Sequence, residues 1–160
     1  MVPEVPGVLV TRIVALLALA LMPSAAFGQS KPNLSGRWQS AGQATITIAQ
    51  NDRVFVVSTR DEGGRVQELS YKLDGSESRN TVTTATGRTW THASRAVWVN
   101  SAVAITTATR TDTSAQWEWM QVYLLDPGGQ LSITTIDGVI TDAKAMIAST
   151  IRYEKVQAAR

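Results

Sequence analysis

Few residues of this chain carry reactive chemistry, and the most reactive stands alone. His92 is the only histidine, within Thr89-Trp90-Thr91-His92-Ala93-Ser94. A zinc centre needs several nitrogen or sulfur ligands, and the chain has no cysteine to join it. A Ser-based triad needs its nucleophile on a sharp elbow, and no Gly-x-Ser-x-Gly occurs. Asp52, Asp61, Glu62, Asp74, Asp126 and Asp137 stand where turn geometry favours an acidic residue. Glu68, Glu77, Glu118 and Glu154 fall one to a strand, with nothing to pair them for two-carboxylate hydrolysis. Gly63-Gly64 and Gly128-Gly129 serve hairpins rather than a phosphate loop. No catalytic residue, metal ligand or cofactor is assigned on this basis.

The aromatic residues are more informative. On a strand over 89–99, period-two alternation puts Trp90, His92, Ser94, Ala96 and Trp98 on one face. On a strand over 116–125 one face carries Trp117, Trp119, Gln121, Tyr123 and Leu125. If both faces point inward, Trp90, Trp98 and Tyr123, with Trp117 and Trp119, line a cavity for a small molecule with an apolar body and a few polar groups. The same rings would equally serve to fill a core, or Trp117 and Trp119 to meet a partner outside. A one-residue slip in register exchanges the two faces, so the alternatives stay open here.

The elements that must position these residues are strands. Short Thr-, Val- and Ile-rich segments are punctuated by turn signals about every 8–12 residues, the pattern of an antiparallel sandwich or barrel. We place strands over 35–40, 44–50, 53–59, 65–73, 78–84, 89–99, 102–110, 116–125, 130–136 and 146–155, with a polar loop over 137–144. Asn51-Asp52, Asp74-Gly75, Asn100-Ser101 and Asp126-Pro127-Gly128-Gly129 make the turns. Across a two-residue turn at Asn100-Ser101, Trp98 pairs with Val103. Nearest-neighbour hairpins without long crossovers favour an all-β, antiparallel up-and-down barrel of about 8–10 strands.

The chain has 160 residues, enough for one domain. Its start reads as a signal peptide over 1–28, followed by one domain over 29–160. Arg12 precedes the apolar run Ile13–Met22, which is about half of the roughly 20 residues needed to span a bilayer. Pro23 breaks the run, and Ala26-Phe27-Gly28 supplies small residues for cleavage. Export to a periplasm or beyond the cell follows, with no stable membrane insertion of the mature chain. The absence of cysteine excludes a disulfide framework and suits a bacterial envelope. Loss of 1–28 removes one charge of each sign and leaves the net charge of +2. No basic residues cluster, so a nucleic-acid partner is not expected.

Several motifs in order resemble a known group. They are Asn33-Leu34-Ser35-Gly36-Arg37-Trp38, Tyr71-Lys72-Leu73-Asp74-Gly75, Ser94-Arg95-Ala96-Val97-Trp98, Tyr123 to Ile133, and Ile151-Arg152-Tyr153-Glu154-Lys155. Together they are similar to small exported bacterial proteins described as lipocalin-like, a resemblance covering nearly all of 29–160. It implies a calyx-shaped, calycin-type barrel and no particular ligand. Gly36-Arg37-Trp38 resembles the Gly-x-Trp signature of lipocalins, whose Trp closes the barrel base under a basic residue of the last strand. The resemblance makes Trp38 that ring and Arg152 the cation, with Lys155 second. The chain departs from true lipocalins in having no disulfide and no C-terminal helix. The leading expectation is a non-enzymatic barrel that binds a small, mainly apolar molecule. A packed module contacting a protein partner is the alternative, and a hydrolase or isomerase in the barrel mouth a third.

Overall fold

The computed structural model describes residues 31–157 apart from 62, 85, 111–115 and 140–146, and leaves aside the side chains of 110, 116, 117, 139 and 147. The segment read as a signal peptide therefore lies outside the described residues. Ten strands follow one another: β1 (Gly36–Gln39), β2 (Thr45–Gln50), β3 (Val54–Arg60), β4 (Val66–Lys72), β5 (Asp74–Thr83), β6 (Thr89–Val99), β7 (Ala102–Arg110), β8 (Gln116–Leu125), β9 (Leu131–Val139) and β10 (Ile147–Lys155). They form one antiparallel sheet in the order β4-β3-β2-β1-β10-β9-β8-β7-β6-β5. The sheet curls into a nearly closed up-and-down barrel, as the turn spacing predicts. Among the described residues no helix is long and apolar enough to cross a membrane.

The turn chemistry sets the register. Asn100 adopts a left-handed backbone (φ 54°), as a two-residue hairpin loop requires, and Trp98 pairs with Val103 across it. At the other clear turn, the Asp126 carboxylate accepts the Gln130 N–H at 2.8 Å, and Gly129 N–H reaches the Asp126 carbonyl. Two expectations need correction. The polar loop begins later than 137, because Asp137–Val139 continue β9 paired to β8. Asp74-Gly75 closes no hairpin ladder. β5 begins at Asp74, and its register against β6 is irregular between Asp74 and Glu77.

The barrel closes between β4 and β5, the ends of the sheet order, by side chains in place of a backbone ladder. Asn80 Oδ1 accepts the Ser70 N–H at 2.8 Å, while Asn80 Nδ2 donates to the Ser70 carbonyl at 3.1 Å. Ser78 Oγ accepts the Lys72 N–H at 2.9 Å. Both side chains are buried. An amide presents one donor and one acceptor, as a strand residue does, so Asn80 satisfies backbone groups that would otherwise be orphaned. Where this seam ends, Arg65 donates to the Thr84 carbonyl at 3.1 Å.

The interior at one end is apolar and tightly filled. Leu34, Trp38, Phe55, Tyr71, Val103 and Leu131 are each at most 3 % exposed. Residues 31–35 lie over this end. Leu34 N–H donates to Gln50 Oε1 at 3.1 Å, and Gln50 Nε2 donates to the Pro32 carbonyl at 3.1 Å. Lys31 Nζ then reaches the Trp98 ring, 5.7 Å from its centroid. Gln50 is on β2 and Trp98 on β6, almost opposite in the ring of strands, so the segment bridges the barrel end.

Candidate functional site

The base of the barrel is built around Trp38. Its ring is buried, and its Nε1 donates to the Leu34 carbonyl at 3.0 Å. The cation over the ring is Lys155, whose Nζ lies 5.4 Å from the centroid. Arg152, the first choice from the resemblance, is not there. It alternates with buried Tyr153 and is exposed on the outer wall, whereas Lys155 shares the inward face of Tyr153. Gly36 makes room for the lysine. A Cβ at this position would stand 2.6 Å from Lys155 Cε, and φ there is +144°.

The direction of the aromatic faces is now fixed. Ser94 and Ala96 are buried while Arg95 and Val97 are exposed, so Trp90, His92 and Trp98 point inward. Tyr123 is buried and Leu124 exposed, so Trp119 and Gln121 point inward as well. The side chain of Trp117 lies outside the described residues. These rings do not form one site. Tyr123 stands in the filled half, edge-on to Phe55 with ring centroids 5.2 Å apart. Trp98 faces the bridged end and packs against the same core. Trp90, His92 and Trp119 belong to the other half.

That other half is polar. Ser94 and Thr107 bond each other at 2.9 Å, both buried. His92 on β6 and Trp119 on β8 meet edge to face, centroids 5.0 Å apart, although β7 runs between their strands. Strands two apart are separated by roughly 9–10 Å. The two rings can meet only by leaning together inside the barrel, above the short Thr107 and Thr109 of β7. Burial disfavours a charged imidazole and holds the His92 pKa below the usual histidine value. The ring contact is to an indole, which supplies no carboxylate to orient a general base. Among the described residues no group of three His, Cys, Asp or Glu could hold a metal ion.

Two polar groups of this half are unmatched. Gln67 Nε2 and Thr109 Oγ1 are buried and find no hydrogen-bond partner among the described residues. Trp98 Nε1 is the third such atom, in the bridged half. Nothing in the sequence marks Gln67 or Thr109. Both read as ordinary strand residues, and only the sign of their faces brings them inside. One concavity among the described residues lies elsewhere. It is an open groove of about 620 Å³ on the outer wall, bounded by Gln39, Gln130, Arg152 and Glu154, and it does not reach the aromatic face. No family model matches the chain, and no curated protein shows significant similarity to it.

Proposed function

We propose that this chain is an exported, lipocalin-like barrel of bacterial type that binds a small, mainly apolar molecule inside, in the half that holds Trp90, His92 and Trp119. One observation carries the reading. These three large aromatic side chains face inward yet are only half-buried, and their inward neighbours Ser94, Thr107 and Thr109 are small. Rings that serve only as core are covered on all sides, as Trp38 and Phe55 are. The antiparallel barrel and the motif order around Gly36-Arg37-Trp38 support the lipocalin-like assignment, and the leader over 1–28 supports export.

The test is titration of the native protein with neutral N-phenyl-1-naphthylamine, read by dye and tryptophan fluorescence. One saturable site is expected. Trp90→Ala should weaken it by about tenfold, or about 1.4 kcal/mol, while the melting temperature changes little. Absence of saturable binding would favour a packed module that meets a protein partner through its outer wall.

A further inference from the structure

We infer that the molecule taken up in this half is flat, uncharged and furnished with hydrogen-bond acceptors, an aromatic carbonyl compound being the simplest member of the class. The inference rests on the interior-binding reading and adds the chemistry of the ligand. The polar groups of this half divide into two kinds. Asn80 spends both ends of its amide on the Ser70 backbone, and Ser94 and Thr107 spend their hydroxyls on each other. Gln67 Nε2 and Thr109 Oγ1 remain, each buried without a partner among the described residues. Thr109 is only 8 % exposed. An amide nitrogen can only donate, and a hydroxyl can donate to an acceptor brought in from outside. Buried donors left unmatched are costly, so a guest that supplies acceptors gains what the protein alone forgoes.

Charge on the guest is disfavoured by the same surroundings. Among the described residues, the cation on an inward strand face is Lys155, engaged over Trp38 at the opposite end. Burial disfavours the charged form of His92. Asp137, in register with Trp119, is exposed at the strand end and so remains in water. Flatness follows from the walls. Indole and imidazole faces favour a planar π-system in offset or edge contact. Trp119 is in register with Thr107, two residues before Thr109 on the same inward face of β7, so the intrinsic fluorescence of Trp119 reports entry of a guest.

The experiment compares isosteric naphthalenes on the full barrel domain by tryptophan fluorescence and calorimetry. The probes are 2-acetylnaphthalene, 2-ethylnaphthalene, 2-naphthoate and 2-naphthylmethylammonium. The ketone should bind at least about tenfold tighter than the ethyl compound and tighter than either ion. Thr109→Val and Gln67→Met, each close to isosteric, should bring the ketone-to-ethyl ratio near one. Because each removes an unmatched polar group, neither should lower the melting temperature. Equal binding of ketone and ethyl compound, tighter binding of an ion, or an unchanged ratio in both variants overturns this inference and leaves interior binding standing. Failure of all four naphthalenes to bind overturns the interior-binding reading, and this inference with it.

Discussion

Along β6 the inward side chains run Trp98, Ala96, Ser94, His92, Trp90, and beside them on β7 run Val103, Ile105, Thr107, Thr109. Both strands pass from an apolar half into a polar one. In the first half the inward rings are buried except Trp98, which is half-buried under the Lys31 ammonium, and residues 31–35 lie across the end. In the second, the rings are half-covered, and among the described residues two buried polar atoms lack partners against one, Trp98 Nε1, in the first. The difference teaches that stability and recognition are separated along the barrel axis. A core that holds the barrel by itself leaves the other half free to carry unmatched groups whose cost a ligand could offset.

The separation can be broken most forcefully at Trp38. Trp38→Ala should cost about 3–5 kcal/mol in denaturant unfolding, the range for a large buried aromatic. Lys155→Ala should cost less, and a double-mutant cycle should show the two coupled. A loss at Trp38 no larger than that of Trp90→Ala would mean that the halves do not differ in kind.

Alkaline pH addresses the same half by another route. Burial pushes the Tyr71 hydroxyl up to about 12 and raises that of Tyr123 still further, the latter also through the neighbouring Tyr71 and Tyr153. An unfolded tyrosine ionises near 10, so the folded state keeps its proton where the unfolded chain loses it. Stability is therefore whole below pH 10 and falls as pH climbs to about 12, by about 2–3 kcal/mol from Tyr71 alone. Tyr71→Phe should flatten that fall in urea midpoints measured across the window.

The smallest effect belongs to the polar half. Thr107→Val strands the buried Ser94 hydroxyl and should cost about 1–2 kcal/mol. Ser94→Ala together with Thr107→Val removes both partners and should recover most of the loss. If the double variant is worse than the single, this pair contributes to the core as the apolar half does.

The strands were legible because their signals are local. Thr- and Ile-rich alternation and the turns at Asn100 and Asp126 specify hairpins within a few residues, and β6, β7 and β8 match expectation end to end. The sign of each face was not legible, since alternation is symmetric until burial breaks it. Arg152 and Lys155 lie an odd number of residues apart and so face opposite ways, and the resemblance that offers both does not say which faces in. Asn80 and Ser78 were invisible as seam residues, because Asn and Ser within a strand segment look like weak strand formers. Gln50 gave no sign of tying residues 32 and 34 to the barrel.

The strand order also has a kinetic meaning. All hydrogen-bonded strand pairs but one join sequence neighbours, and the exception is β1 with β10. That ladder is among the shortest in the barrel, Trp38 with Lys155 and Gln39 with Glu154, yet it joins opposite ends of the described chain. Two meanders, β1–β4 and β5–β10, can thus form from contacts near in sequence before the costly long-range closure. The chain entropy of that closure grows only slowly with loop length, but it must be met before Trp38 and Lys155 can meet. Topology therefore leads one to expect ring closure last, at the residues that also seal the base.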